Sequence, residues 1–185
     1  MEEKLVRATL ELMMARSLKF TMDDLARKLH VSKSTIYDIV DSKEDLIRLV
    51  MHRAMDKFER EKEPLLHGEG PVTTRLLQLC ELYFHTVWYL PDVVMEDLQY
   101  RYDDISREWE DFKEAKFDDM VSLLQEGVNK GEYRKVNVMA VRQIIFCAAK
   151  GLTDPEFLRK SGMTSRALMD ILEDVMLKGL EKRSE

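Results

Sequence analysis

The stretch from Phe20 to Leu46, FTMDDLARKLHVSKSTIYDIVDSKEDL, decides the fold. It contains the start signals of two short helices at a defined spacing. Thr21 opens a capping box with Asp24, in which the hydroxyl accepts from a first-turn N–H and the carboxylate reaches back. Ser32, eleven residues later, is placed to cap the second helix. Two short helices joined tightly have the dimensions of a helix-turn-helix, whose second helix enters the DNA major groove.

The joint between the two short helices and the end of this stretch indicate further structure. His30 occupies the joint, where glycine is usual; histidine enters the left-handed backbone region more readily than most other residues, at some cost. Ser42 and Asp45 form another capping box, which begins a long fourth helix. We expect Pro64 to end that helix, because proline lacks the N–H that a helix interior requires.

The rest of the chain also has helical periodicity, with no convincing strand pattern. The fold class is therefore predicted to be all-α with about nine helices: a three-helix N-terminal DNA-binding domain, residues 1–48, and a helical effector-binding and dimerisation domain, residues 49–185. The later helices are expected at Val72–Leu90, Pro91–Tyr102, Ile105–Lys130, Val138–Lys150 and Thr164–Lys182, with breaks at 131–133 and 151–162.

Composition limits the class of protein. Of the 185 residues, 45% are hydrophobic and 35% charged, which suits amphipathic helices. The net charge of −6 lies beyond residue 52, because residues 1–52 hold nine basic and nine acidic side chains. Cys80 and Cys147 lack a CxxC spacing and indicate free thiols of a reducing compartment. No apolar run approaches the roughly 18 residues of a membrane span, so a cytoplasmic protein is expected.

The stretch His30–Leu46 resembles the signature of the TetR family of transcriptional regulators, often written Gly-Val-Ser-Lys-Gly-Thr-Leu-Tyr-x-His-Phe-x-Ser-Lys-Glu-x-Leu. Nine positions agree, and the resemblance extends over roughly residues 5 to 50. It implies that Thr35 and Tyr37 hydrogen-bond DNA phosphates and that Lys43 meets a further phosphate. Lys33 and Ser34, in the first turn of the recognition helix, are placed to reach base edges. The full predicted DNA-binding set is Thr21, Ser32, Lys33, Ser34, Thr35, Tyr37 and Lys43.

Two departures from the signature and one residue at a variable position affect the expected DNA contacts. Ile39 and Val40 replace its His-Phe pair, so the phosphate contact of that histidine is not carried over. Asp38 follows the signature tyrosine, and three interpretations stay open for it. Its carboxylate accepts a hydrogen bond from a cytosine amine, faces away from the groove, or marks a weakened DNA site.

The second domain of such regulators contains a ligand cavity, as the resemblance implies. Aromatic and sulfur-bearing side chains with a few polar neighbours are typical of such cavities, although each is also an ordinary core residue. The predicted effector-binding residues are Phe84, His85, Trp88, Tyr89, Met95, Tyr102, Trp109, Phe112 and Cys147. No cofactor is predicted.

The last two long helices carry broad apolar stripes, which suit either an intramolecular core or a partner subunit. The resemblance favours a four-helix interface across a two-fold axis, which would make the protein a homodimer that reads a palindromic operator. The predicted dimerisation residues are Val141, Ile145, Leu168, Ile171, Leu172, Val175 and Met176.

The function expected from this pattern is a DNA-binding transcriptional regulator, a repressor released from its operator by a small apolar effector. The alternative is a protein-binding adaptor that keeps a weakened helix-turn-helix, which Asp38 and the neutral first 52 residues motivate. An enzyme is not expected, because phosphate-binding loops and nucleophile motifs are lacking. Glu81 and His85 are spaced as two metal ligands, but a third is not evident, so no metal site is predicted.

Overall fold

A computed structural model describes residues 1–87, 90–152 and 154–181. Within these ranges the chain forms ten α-helices and one 3-10 helix, Ser17–Lys19. The only β-type pairing there is an isolated bridge between Tyr133 and Glu181, so the predicted all-α fold is confirmed. The helices are α1 Glu2–Arg16, α2 Met22–Leu29, α3 Lys33–Tyr37, α4 Lys43–His67, α5 Val72–Thr86, α6 Asp92–Arg101, α7 Asp103–Lys130, α8 Val138–Leu152, α9 Pro155–Ser161 and α10 Ser165–Leu180.

Helix α9 is the helix that the sequence analysis missed, because its residues were predicted to form a break. The side chain of Asp154 accepts a hydrogen bond from the Phe157 N–H at 2.9 Å and caps the helix. Pro155 occupies the first helical position, where a missing N–H costs nothing. Gly162 ends the helix in the left-handed conformation, with φ of 65°.

The predicted end of α4 at Pro64 is wrong, since the helix continues to His67 with the proline inside it. The guanidinium of Arg75 donates to the carbonyl oxygens of Leu65 at 3.2 Å and Leu66 at 3.0 Å. These bonds satisfy carbonyls that a helix end leaves without partners. Helix α5, in turn, ends at Thr86, four residues before its predicted end.

The chain folds as two compact units, and residues 1–60 and 84–113 form the first. Its interior contains the fully buried side chains of Phe20, Phe58 and Trp109. The Trp109 and Phe112 rings stack with centroids 5.9 Å apart, and the Phe58 ring meets Phe112 edge-on. This aromatic packing contributes to the apolar core of the first unit.

Residues 61–83 and 114–185 form the second unit. Tyr83, Phe117 and Phe146 make a run of edge-to-face aromatic contacts, with centroids 5.0 and 5.2 Å apart. Helices α8 and α10 pack against each other. In the described ranges, no helix is both long and apolar enough to cross a membrane. The functional boundary after residue 48 stays a prediction.

Candidate nucleic-acid interface

Local hydrogen bonds build the helix-turn-helix as the sequence predicts. The Thr21 hydroxyl accepts from the Asp24 N–H at 3.2 Å, and the Asp24 carboxylate accepts from the Thr21 N–H at 2.9 Å. His30 ends α2 in the left-handed region, with φ of 56° and ψ of 42°. The Ser32 hydroxyl then accepts from the Thr35 N–H at 3.1 Å and begins α3. The two caps and the left-handed joint are therefore confirmed.

Helix α3 presents polar side chains on one side and an apolar anchor on the other. Ile36 is buried, which fixes the helix against its unit. Lys33, Ser34 and Tyr37 are exposed, and 45% of the Tyr37 surface is accessible. A short helix that displays a lysine, a serine and a phenol to solvent has the chemistry for contacting bases and phosphates.

Three hydroxyl groups meet at the start of α3. The Ser32 oxygen lies 2.7 Å from that of Ser34 and 2.9 Å from that of Thr35. The Thr21 hydroxyl, by contrast, donates to Asp24 at 2.8 Å besides accepting from it. Its hydrogen is already used within the capping box, so a phosphate contact would require Thr21 to exchange that partner.

Much of the positive charge near α3 is paired within the chain. The Lys33 ammonium lies 2.7 Å from Asp23 Oδ2, and this hydrogen bond raises the pKa of Lys33. Lys28 pairs with Glu11 at 2.8 Å. The exposed surface of α3 is therefore polar, and the charge of its first residue, Lys33, is paired with that of Asp23.

Lys43, the first residue of α4, points into its own unit. Its ammonium donates to the carbonyl oxygens of Leu18 at 2.6 Å and Phe20 at 2.5 Å, and lies 4.3 Å from the Phe20 ring centroid. Burial, with repulsion from Arg101, lowers the pKa of Lys43. The resemblance to the TetR signature implied a DNA phosphate, not these carbonyl oxygens, as the partner of the Lys43 ammonium.

The loop that leads into α2 is also held by α6, which sequence analysis missed. Ser17 has φ of 54° and ψ of −147°, and its hydroxyl donates to Asp97 Oδ2 at 2.5 Å. The Leu18 N–H donates to the same oxygen at 3.3 Å. These bonds, the Ser17 bond foremost, lower the pKa of Asp97. The partners are about 80 residues apart, so no local pattern signals the contact.

The predicted effector residues are divided between the two units. Trp109 is completely buried and Phe112 stacks on it, so both contribute to the core of the first unit. Phe84, His85, Met95 and Tyr102 belong to the same unit, whereas Cys147 is exposed on α8 in the second. Trp88 and Tyr89 lie outside the described residues.

One cleft of the first unit has a volume of about 230 Å³ and lies among α1, α4 and the end of α5. Of the predicted effector residues that the structure describes, only His85 borders this cleft. Among the described residues, the lining is Val6, Leu10, Val50, Arg53, Ala54, Lys57, His85 and Thr86. Its walls are mostly apolar, with two cationic side chains from α4, so apolar molecules of modest size are the ligands that it suits.

The predicted dimerisation residues differ in solvent exposure, because they lie at different positions around their helices. Ile145 and Leu168 are buried inside the chain, whereas Ile171 and Val175 are 49% and 62% exposed. Val141, Leu172 and Met176 are intermediate. Ile144 belongs to the same apolar stripe of α8 but was not among the predicted dimerisation residues, and it is 66% exposed. An apolar surface on the paired helices α8 and α10 therefore faces solvent in the single chain.

Comparison with known proteins shows the same architecture. Residues 5–50 match the family model described as bacterial regulatory proteins, tetR family. Over its full length the chain is 21% identical to YvaF of Bacillus subtilis strain 168, an uncharacterised HTH-type transcriptional regulator, and covers 98% of it.

Solved structures share the fold at low identity. A transcriptional regulator from Cytophaga hutchinsonii aligns with a TM-score of 0.73 and 16% identity, over 97% of this chain and 98% of that one. FadR of Bacillus subtilis, in complex with stearoyl-CoA, aligns with a TM-score of 0.65 and 15% identity, over 97% and 99%. A protein from Saccharomonospora viridis, in complex with choline, gives 0.77 and 18%, over 98% of both chains.

Proposed function

We propose that the chain is a transcriptional regulator of the TetR type, and that it is a homodimeric repressor that leaves a palindromic operator when a small apolar effector binds. The observation that carries this proposal is the exposed face of α3, where Lys33, Ser34 and Tyr37 project from a helix fixed by Ser32 and Ile36. Residues 1–48 form the reading head in this proposal, and residues 49–185 bind the effector and the partner subunit.

Each exposed group of α3 has a role in the proposed complex. The Tyr37 phenol and the Thr35 hydroxyl donate to phosphates and position the helix, which contributes affinity without sequence information. The Lys33 ammonium donates to guanine O6 or N7, and Ser34 to a neighbouring base edge. To do so, Lys33 must release Asp23, so sequence recognition competes with an internal ion pair.

The proposed dimer places α8 and α10 of one subunit against those of its partner. Ile144, Ile171 and Val175 are large apolar side chains that expose about half to two thirds of their surface in the single chain. A two-fold axis through this surface would bury them in an isologous interface. Two reading heads one helical turn of DNA apart, or slightly more, then meet successive major grooves, which requires a near-palindromic site.

In this proposal the effector controls DNA binding because it has different affinities for two conformations of the dimer. The two conformations differ in the distance between the reading heads. A molecule that binds more tightly to the released dimer shifts the population away from the operator-bound form. Two structural relatives are complexes with stearoyl-CoA and with choline. For this chain, the mostly apolar cleft beside His85 supports a smaller apolar effector.

The test is selection of genomic DNA fragments by the purified protein at about 0.15 M salt, the physiological ionic strength. A Lys33→Ala plus Tyr37→Ala variant removes two exposed side chains of α3, and Arg60→Ala on the exposed surface of α4 serves as the control. Enrichment of one short palindrome by the wild type and the control, but not by the double variant, is the expected result. Equal enrichment by all three proteins would refute recognition through α3.

A second candidate function is a protein-binding adaptor, and the Lys33–Asp23 ion pair favours it because that pair lowers the positive charge of the reading face. The exposed Asp38 adds negative charge there. The adaptor reading predicts that the wild type enriches no DNA at any salt concentration and that the double variant keeps its regulatory effect in cells.

A further inference from the structure

We infer that Lys43 is a positioning residue, which holds the start of α4 to the loop before α2 and does not contact a DNA phosphate. The inference rests on the proposed function, since it concerns how the reading head is placed on DNA. It assigns Lys43 a role that differs from the one implied by the signature match.

The contacts of the ammonium leave little capacity for a phosphate. A lysine has three N–H donors, and two of them are used by the carbonyl oxygens of Leu18 and Phe20, at 2.6 and 2.5 Å. The Phe20 ring covers the ammonium at 4.3 Å from its centroid, within the range of a cation–π interaction. Phe20 is itself fully buried, so this covering ring is fixed by the core.

The two carbonyls belong to the residues that determine where α2 begins. Phe20 directly precedes Thr21, the residue that caps α2, and Leu18 is buried in the 3-10 helix before it. The Val31 N–H donates to the Ala26 oxygen at 3.0 Å and holds the turn after α2 to that helix, and α2 packs directly against α3. Lys43 therefore connects the first turn of α4 to the pair of helices that reads DNA.

Exchange of partners would be costly at this position. Moving the ammonium to a phosphate would leave two carbonyl oxygens without their donor, and unsatisfied polar groups near a protein interior are unfavourable. The lowered pKa of Lys43, caused first by burial, agrees with an ammonium that is partly removed from water. Lys33 must also release a partner, Asp23, but both side chains are largely exposed, so water can replace the lost contact there.

The experiment compares wild type, Lys43→Met and Lys43→Arg with Arg60→Met, a substitution of an exposed basic residue on the same helix. Without DNA, amide hydrogen exchange over residues 18–24 and the Tm are measured. With the selected operator, affinity is measured between about 0.05 and 0.2 M salt, the range over which phosphate contacts change affinity strongly. Each phosphate contact contributes about 0.9 to the slope of log affinity against log salt, so a lost contact in both subunits of a dimer lowers it by about 1.8.

We expect Lys43→Met to speed exchange over residues 18–24, to lower the Tm by about 3 to 8 °C, and to weaken operator binding at least tenfold with an unchanged salt slope. Lys43→Arg should recover much of the affinity, since its guanidinium also donates to carbonyls. Arg60→Met should resemble the wild type throughout. A purely structural lysine would alter the Tm but leave the affinity unchanged well below it.

Three results would overturn the inference. The first is a salt slope smaller by about 1.8 in Lys43→Met, whatever its Tm. The second is an unchanged operator affinity. The third is unchanged exchange over residues 18–24, which is measured without DNA and therefore decides the position of Lys43 even if no operator exists. Failure of the wild type to select any operator counts against the proposed function instead.

Discussion

The Ser17 hydroxyl donates to Asp97 Oδ2 at 2.5 Å, although the two residues are 80 positions apart in the chain. Ser17 adopts a φ of 54°, which non-glycine residues rarely occupy, and such conformations cost about 1–3 kcal/mol. The Asp97 carboxylate on α6 thus stabilises an unfavourable backbone conformation in the loop before α2. A helix outside the helix-turn-helix therefore helps to define the entry to the reading head.

The strain at Ser17 predicts different effects for two small substitutions. Ser17→Ala loses the hydrogen bond and keeps the unfavourable backbone, whereas Ser17→Gly loses the same bond but adopts positive φ freely. We expect Ser17→Ala to lower the free energy of unfolding by about 2 kcal/mol, and Ser17→Gly to be about 1 kcal/mol more stable than Ser17→Ala. Urea denaturation measures both values. An alanine variant as stable as the glycine variant would show that the backbone is not strained.

Lowering the pH should weaken the contact between Ser17 and Asp97. The Ser17 hydroxyl, followed by the Leu18 N–H, lowers the pKa of Asp97 in the folded chain. A carboxyl with a lower pKa when folded stabilises the chain fully above its unfolded pKa, about 3.9, and loses that contribution as the pH falls through its folded pKa. We expect the stability difference between wild type and Asp97→Asn to be complete at pH 7 and to shrink below about pH 4.

The same denaturation series includes Asp41→Asn as a control, because Asp41 is an exposed carboxylate. That variant should differ little from the wild type at either pH. A difference between wild type and Asp97→Asn that stays constant from pH 7 to pH 3 would show that the Asp97 charge does not stabilise the loop.

Local patterns predicted the reading head well because its architecture depends on contacts between near neighbours. The Thr21 and Ser32 caps and the left-handed His30 each involve residues within four positions. The Ser17–Asp97 and Arg75–Leu66 bonds join residues that are distant in sequence or belong to different helices. Nothing in the periodicity of either helix indicates which side chain will meet such a partner.

The site residues show a similar division. Periodicity identified the apolar stripes of α8 and α10, but it could not separate Ile145, which is buried in the chain, from Ile144, which is exposed. A broad stripe covers both an internal and an external face, and tertiary packing decides between them. The compensation of Lys33 by Asp23 likewise depends on how α2 and α3 pack.

Arg75 is expected to be essential for the stability of the second unit. Its side chain is almost completely buried and donates to the Leu65 and Leu66 carbonyls and to Glu126. Arg75→Met leaves two helix-end carbonyls and a carboxylate without this donor, so the free energy of unfolding should fall by about 3 kcal/mol. Lys130→Met removes the exposed partner of Glu126 and should cost less than about 1 kcal/mol. Equal losses in the two variants would contradict this assignment.

The Lys33–Asp23 pair predicts a gain of affinity from removing a charge. Asp23→Asn frees the Lys33 ammonium and removes an acidic group beside the reading helix. Operator affinity, measured by fluorescence anisotropy at fixed salt, should rise about fivefold, which corresponds to about 1 kcal/mol. The double variant Asp23→Asn plus Lys33→Met tests whether the gain passes through Lys33. If the double variant still binds the operator more tightly than Lys33→Met alone, the gain comes only from removing the long-range repulsion between Asp23 and DNA.

The exposed apolar surface of α8 and α10 predicts how the dimer can be broken. Ile144 and Val175 expose 66% and 62% of their surface in the single chain. An isologous interface would bury each of them in both subunits, so Ile144→Glu or Val175→Glu introduces two buried charges per dimer. The dimer dissociation constant from analytical ultracentrifugation should rise at least about 100-fold, the range of interface hot spots. Tyr100→Glu, at an 87% exposed aromatic of α6, should leave it unchanged. Because both α8 and α10 substitutions leave the chain's own core intact, a dimer that survives them must use another surface.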